Sequence, residues 1–360
     1  MRIIAVTNQK GGCGKTTAAV NLSAVLAARG RRVLLIDLDP QAHATVALGL
    51  PPADCPATMY EVLRGTLSIH EAIRHNHFPG LDVLPSSIPL AAAEQFLSGI
   101  PRKEHRLLES LRKIPKRYDY VVVDSPPSLG LLTFNALRAA DEAIVPIDPS
   151  FLSIHGLGRL LEMVELLRLE GRHELSLKAL LVMLDLRTRF AHEVLRHLES
   201  EMKARYQTII RQTVRLREAA ACGKPVTSHA PGSIGAEDFE HLADEVIAEE
   251  LSGIGECPFG KEPIQTAQGV FFWRPRSDGE EVTIAGDFNE WVPDRRVVSI
   301  PDAQRTIKFA QLPPGRYRYR WVVDGVWVED ANNPNRLQSA VEGFDSVCEV
   351  EERPQVAHVL

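Results

Sequence analysis

The chain has 360 residues, 44% of them hydrophobic and 24% charged, a balance that fits a soluble globular protein long enough for two domains. A formal net charge of −6 excludes any global attraction to nucleic acid, so local distribution must decide. No apolar run approaches the about 18 residues of a spanning helix, and the N-terminus enters a strand pattern directly rather than a leader, so a cytoplasmic protein without membrane attachment is expected.

The apolar run Arg2 to Thr7 has strand composition, and Thr16 to Ala28 has helical periodicity. Between them lies Gln9-Lys10-Gly11-Gly12-Cys13-Gly14-Lys15-Thr16-Thr17, which reads as a phosphate-binding loop on a strand-to-helix turn. Gly11, Gly12 and Gly14 let backbone N–H groups approach an anion without a Cβ clash, and the next helix offers its positive end. Lys15 would neutralise the β- and γ-phosphates, Thr16 would set its hydroxyl on Mg²⁺, and Thr17 would reach the α-phosphate. The strict spacing wants glycine six residues before the lysine, and Gln9 stands there. Cys13, inside the loop, reads as a small apolar filler with a redox switch as the alternative. All five cysteines (13, 55, 222, 257, 348) are scattered and never spaced C-x-x-C, which favours reduced thiols.

Further on, Val33 to Asp37 and Tyr120 to Asp124 are continuous apolar runs that end in acid, the pattern of parallel strands buried on both faces. Carboxylates at such strand ends face the ligand crevice of an open α/β sheet. The first run continues through Asp39-Pro40, the second through Ser125-Pro126-Pro127, whose prolines preclude an immediate helix. Asp124 reads as the acid that holds Mg²⁺ through water. Glu142 to Ile147 and Leu177 to Leu184 are further strands, each followed by a helical pattern. This alternation predicts an α/β fold, a doubly wound, mainly parallel sheet with nucleotide at the strand C-termini.

From 187 to 217 eight basic residues stand against Glu193, Glu199 and Glu201, which fits either sequence-independent phosphate contacts or a solvated face. The helix from Gly235 to Leu251 is acidic, and anionic lipid would repel it. Residues 252–267 are Gly- and Pro-rich and aperiodic, a linker. Residues 252–360 hold 12 Lys and Arg against 17 Asp and Glu, so the acidity is mostly C-terminal. There the period changes to two. Tyr317, Tyr319, Trp321 and Val323 share one face, Arg316, Arg318 and Arg320 the other, and Asp324-Gly325 forms a two-residue hairpin. A small antiparallel, immunoglobulin-like β-sandwich of about seven strands is predicted over residues 268–352, with 353–360 as a tail.

The order Lys10-Gly11-Gly12-x-Gly14-Lys15-Thr16-Thr17 resembles the deviant Walker A loop of the ParA/MinD family of ATPases. Asp37-x-Asp39-Pro40-Gln41, Asp124-x-Pro126-Pro127-Ser128-Leu129-Gly130, Asp185-x-Arg187-Thr188 and Val214-Arg215-Leu216 with Gly223-Lys224-Pro225 extend the resemblance over residues 1–251. It implies a P-loop NTPase that uses ATP and Mg²⁺. Lys10 would reach the partner's phosphates in an ATP-dependent homodimer, Asp39 would position the attacking water, and Asp37 would support the metal. It also implies non-specific DNA binding through Arg187 and Arg215, nucleoid association, and a ParB-like activator or cargo protein. Ala42, His43, Gln212 and Thr213 depart from the family pattern.

Residues 268–352 resemble the glycogen-binding modules of AMP-activated kinase β-subunits and branching enzymes, through Gly286-Asp287-Phe288-Asn289-Glu290-Trp291, Tyr319 to Trp327 and Asn333-Pro334-Asn335. The resemblance implies stacking of Trp291 and Trp327 on glucose rings, hydroxyl contacts from Arg320 and Asp345, and an apolar contact from Val341, where Asn and Leu are commoner at the last two. An α-glucan is therefore the ligand expected of this module, with a protein-interaction or spacer role as the alternative. An adaptor in which the ATPase only sets oligomeric state is the second expectation for the whole chain.

Overall fold

The computed structural model describes residues 1–114, 117–148, 160, 162–167, 175–184, 204–252, 263–265, 269–275, 279–300, 305–339 and 343–350. The chain divides into two units, Met1–Ala243 and Asp244–Leu360. The first is built on an eight-stranded sheet: β1 Arg2–Val6, β2 Val33–Asp37, β3 Arg74–Phe78, β4 Leu81–Leu84, β5 Tyr120–Asp124, β6 Glu142–Ile147, β7 Ser176–Leu184 and β8 Arg205–Arg211. Their order is β3-β4-β2-β5-β1-β6-β7-β8, and every neighbouring pair is parallel except β3 with β4. That is the expected doubly wound arrangement.

Burial explains why the central strands read so plainly. Every residue of β2, β5 and β6 is buried, so their sequences carry no alternation and their valines and isoleucines fill both faces. Strands β3 and β8 carry polar residues such as Arg74, His75, Arg205 and Arg211, which hides them from a hydrophobic count. The β3–β4 turn depends on Gly80, whose φ is +77°.

Register fixes where the chemistry converges. Val6 lies beside Asp124, and Asp124 lies beside Asp37, so the C-terminal ends of β1, β5 and β2 form one row. Immediately after β1 the glycine loop leads into α1, Lys15–Ala28. After β2 the chain enters the short α2, His43–Ala47.

In the second unit two antiparallel sheets share a core. One has the order β12-β13-β10-β9 (Val298–Ile300, Arg305–Ala310, Val270–Pro275, Ile264–Gln265). The other runs β11-β14-β17-β16 (Val282–Gly286, Gly315–Val323, Phe344–Val350, Arg336–Gln338), with β15 (Val326–Val328) on β14. Val270 and Phe272 of the first sheet meet Ile284, Tyr319, Trp321 and Cys348 of the second. The alternation along β14 is therefore borne out, with its aromatic face inward. Asp324 and Gly325 take φ of +49° and +80°, the both-positive pattern of a type I′ hairpin. Nine strands are described where about seven were expected. The extra ones include Ile264–Gln265 and Arg336–Gln338, too short to carry a period.

Candidate functional site

Gly12 and Gly14 take φ of +76° and +81°, so the loop needs glycine at both. A Cβ on Gly11 or Gly12 would meet nothing within 4 Å, which leaves the inner side of the turn open as a cradle. Gly14 caps α1 without a side-chain acceptor, so the first N–H groups of that helix have no side-chain cap. Lys15 is only 6% exposed, and its Nζ donates to the Lys10 carbonyl at 2.8 Å. The Lys10 ammonium pairs with Asp148, the acid that follows β6. Cys13 is fully buried, its Sγ 3.1 Å from the same Lys10 carbonyl, and burial pushes its thiol above the ordinary range. Burial and a raised thiol pKa fit the filler reading better than a reactive one.

Beneath the loop, the Thr16 hydroxyl donates to Asp124 Oδ2 at 2.8 Å. Asp124 is fully buried, and its Oδ1 has no hydrogen-bond partner. Burial, and then the charge of Asp37, push the Asp124 carboxyl well above its usual range. Asp37 is also fully buried and shifted upward by burial; its Oδ1 accepts the Asp39 N–H at 3.0 Å, and its Oδ2 accepts Thr45 N–H and hydroxyl at 2.8 and 2.7 Å. Asp39 is 5% exposed and accepts the Gln41 N–H at 2.9 Å. Two buried acids side by side, one with an unmet oxygen, are the donor set that a hard divalent cation relieves. Among the described residues no group of three His, Cys, Asp or Glu side chains is placed to hold a metal ion.

Three residues of this site escaped the sequence reading. Asn8 is 2% exposed; it accepts the Lys10 N–H at 3.1 Å and donates to Pro146 O at 2.7 Å, tying the loop to β6. Thr45 anchors α2 to Asp37. Asp148 had a visible signal, since β6 is a third apolar run that ends in acid. Beside the loop, a cavity of about 300 Å³ is lined by Gly14 and Thr17 with Val182, Met183, Ile210 and Leu216.

Residues 1–177 match the family model of an AAA domain. The sporulation initiation inhibitor protein Soj of Bacillus subtilis is 42% identical over 249 residues, which cover 69% of this chain and 98% of Soj. The chain belongs to the ParA/Soj family of partitioning ATPases. The chromosome partitioning protein ParA of Myxococcus xanthus is 38% identical over 68% of the chain and 88% of that protein. Among solved structures, a Mycobacterium smegmatis cobyrinic acid a,c-diamide synthase with bound ATP analog and magnesium aligns with a TM-score of 0.63. It is 34% identical and covers 70% of this chain and 96% of its own. A Borrelia burgdorferi plasmid partition protein bound to AMPPNP aligns at 0.60, with 26% identity over 69% and 99% of the two chains.

Of the two DNA-contact positions expected of a ParA protein, Arg187 lies outside the described residues. Arg215 stands exposed in the first turn of the helix Val214–Ala221, paired with Glu218 at 2.8 Å. Arg217 is exposed on the same helix, whereas Arg211 is held by Asp238 at 2.6 Å. Among the described residues no helix is long and apolar enough to cross a membrane.

The second unit brings Trp291 and Trp327 together, ring centroids 6.0 Å apart and planes at 39°, with Trp327 42% exposed. Arg320 and Asp345 meet each other on the outer face of β14 and β17 at 2.7 Å, with side chains 14% and 4% exposed. Val341 lies outside the described residues. Asn333 is a structural bolt: fully buried, it donates to Tyr319 Oη at 3.0 Å and Val347 O at 2.8 Å. Residues 268–353 match the family model of the glycogen recognition site of AMP-activated protein kinase.

Proposed function

We propose that the protein is an ATP-driven switch that positions a cargo. ATP closes two copies into a sandwich dimer, the dimer holds DNA without sequence preference, and hydrolysis releases it. The observation that carries this reading is the row of Asp37, Asp124 and Thr16 beneath a glycine loop that also gathers Lys10 and Lys15. The ATP analog and magnesium bound to the M. smegmatis relative support the same ligands here.

In this mechanism the open N–H groups of residues 11–17 cradle the phosphates, and the Lys15 ammonium turns from the Lys10 carbonyl to the β/γ-phosphate oxygens. Thr16 and the unmet Asp124 oxygen fit Mg²⁺, with Asp37 steadying the row through Thr45. An ion held there would supply neutralisation of the phosphate charge. Asp39, next to Asp37, orients the attacking water. The apolar cavity beside Gly14 takes the base, with the Met183 methyl adaptable enough to lie on it. Lys10 leaves Asp148 for the partner copy's phosphates.

Co-sedimentation of the full chain with DNA at low salt tests this. Retention should need ATP, persist with Asp39→Ala, which hydrolyses poorly, and fall several-fold with Arg215→Glu. Normal hydrolysis by Asp39→Ala would reassign the water-positioning residue. In the cell this reading puts the protein on the nucleoid, with a ParB-like activator or cargo protein as partner.

One observation favours a second reading for the C-terminal unit, an α-glucan module that carries the switch to, or as, its cargo. Trp291 and Trp327 form an aromatic pair, half-buried at Trp291 and exposed at Trp327, and indole faces suit the C–H surface of sugar rings. Glycogen co-sedimentation of the full chain, lost on Trp327→Ala, is the outcome expected.

A further inference from the structure

Trp291 is held in a costly posture. It and Glu290 take φ of +61° and +57°, and Asp294 and Arg296 in the same loop take +53° and +60°. None is glycine, and such left-handed residues are stable only where the surroundings over-determine them. Inside the loop the restraint is Asn289, 1% exposed, which accepts the Gly286 N–H at 2.8 Å and donates to Ile284 O at 3.1 Å. Phe288 anchors it further by stacking on the core ring of Phe272.

From the loop to the neighbouring strand β14 the restraint is Asp287. Its Oδ1 accepts the Trp291 indole Nε1–H at 3.0 Å and Arg318 Nη2 at 3.3 Å. Its Oδ2 accepts the Arg318 backbone N–H at 2.9 Å and Arg318 Nε at 3.3 Å. One carboxylate thus joins the loop, β14 and the indole. Because Arg318 answers Asp287 and Arg320 answers Asp345, the outer face of β14 offers paired charges beside the two rings. Ring geometry is then the main thing this face presents.

We propose that Asp287 is a positioning residue: it fixes the Trp291 plane relative to Trp327, so that the pair meets an α-glucan chain at a preset angle. This rests on the glucan reading above. A Trp free to sample rotamers must be ordered on binding, and holding one side chain in advance is worth about three- to tenfold in affinity.

All four tryptophans, Trp273, Trp291, Trp321 and Trp327, lie in the second unit, so full-length protein labelled with 5-fluorotryptophan gives four fluorine resonances from it alone. Asp287→Ala should shift the Trp291 and Trp327 resonances, leave the buried Trp321 unchanged, and weaken glycogen and maltoheptaose binding about three- to tenfold. Asp287→Asn keeps a carbonyl acceptor for the indole and should recover part of both effects. If Asp287→Ala also moves Trp321, the loop has lost its fold and Asp287→Asn decides alone. Unshifted Trp291, or wild-type glucan affinity in both variants, overturns the positioning role. If the wild-type chain binds neither glycogen nor maltoheptaose, the glucan reading fails and the ligand assignment with it, while the fluorine shifts still decide whether Asp287 sets Trp291.

Discussion

Replacing Asp124 with Asn should make the nucleotide-free protein more stable, although it removes a group the site needs. The Asp124 carboxylate is fully buried, and Asp37 stands beside it in register on the neighbouring parallel strand. Only one of its oxygens has a hydrogen-bond partner. Its carboxyl therefore holds its proton far more tightly in the folded state than in the unfolded chain, where the value is about 3.9. The sign follows. Below that unfolded value both states are protonated and nothing is lost; as pH rises toward the folded value, the unfolded state releases its proton first and stability falls. Each unit of elevation costs about 1.4 kcal/mol, and an unpaired buried charge costs several kcal/mol in all. The amide removes that cost and adds a buried donor worth about 1 kcal/mol if unmet, for a net gain of about 2 kcal/mol at pH 8. For a domain of this size the melting temperature should rise by about 4–8 °C. Thermal unfolding by circular dichroism at pH 5 and pH 8, without nucleotide, measures it, and the gain should shrink at pH 5. With Mg²⁺ and AMPPNP the order should reverse, since only the wild type gains from the ion. A variant less stable than wild type at pH 8 without nucleotide would refute the electrostatic account.

Lys15→Ala should abolish nucleotide binding, whereas Lys10→Ala should bind ATP normally and lose dimer-dependent hydrolysis; isothermal titration and an ATPase assay against protein concentration separate the two. Gly12→Ala meets no atom within 4 Å, so its cost in stability is only the left-handed backbone, about 1–2 kcal/mol, but the added methyl occupies the cradle. Nucleotide affinity should therefore fall more than tenfold while the melting temperature drops only a few degrees. Gly286→Ala places a Cβ 2.4 Å from the Arg318 carbonyl, a backbone atom that cannot swing away. Its φ of −173° carries no strain, so the whole effect is overpacking, about 1–3 kcal/mol or more. Tryptophan fluorescence reads it in the second unit, and unchanged ATPase would show it confined there.

What the sequence revealed of the first unit follows burial. Strands β2, β5 and β6 are buried on both faces, and their unbroken apolar runs ending in acid are visible in one line of letters. The loop's glycines were legible because two of them need positive φ. Strands β3 and β8 were not, because edge strands carry arginine and histidine, and the partners of their arginines are far away in sequence; Arg211 answers Asp238, and Arg74 donates to the Asp54 carbonyl. In the second unit the period of two along β14 assigned the inner face, and the outer face told less. Arg320 and Asp345 stood out as sugar-binding positions by resemblance, but their pairing with each other depends on the register of β14 against β17, which no pattern in one strand contains. The role of Asp287 is hidden for the same reason: it stands in the Gly286–Trp291 motif, and its work is a contact to Arg318 across 31 positions.

Both candidate sites share a property that decides how they bind. Several of their polar side chains are already satisfied from within: Lys15 by the Lys10 carbonyl, Lys10 by Asp148, Thr16 by Asp124, Arg320 by Asp345. A ligand at such groups exchanges one hydrogen bond for another, and each exchange is worth little net. Favourable free energy must then come from what the free protein leaves unmet. In the first unit that is the Asp124 Oδ1, the α1 N-terminus without a side-chain cap and two adjacent buried acids, each relieved by a metal-bound polyphosphate. In the second it is exposed aromatic area at Trp327 and its neighbour, which a neutral, ring-shaped ligand covers without disturbing any charge pair. In the proposed sandwich dimer Lys10 would differ from the rest, because its exchange partner would be reached only in a second copy. Breaking the Lys10–Asp148 pair would then be a cost carried by the monomer and recovered in the dimer, and on the proposed function nucleotide affinity and self-association should be thermodynamically linked through this one lysine.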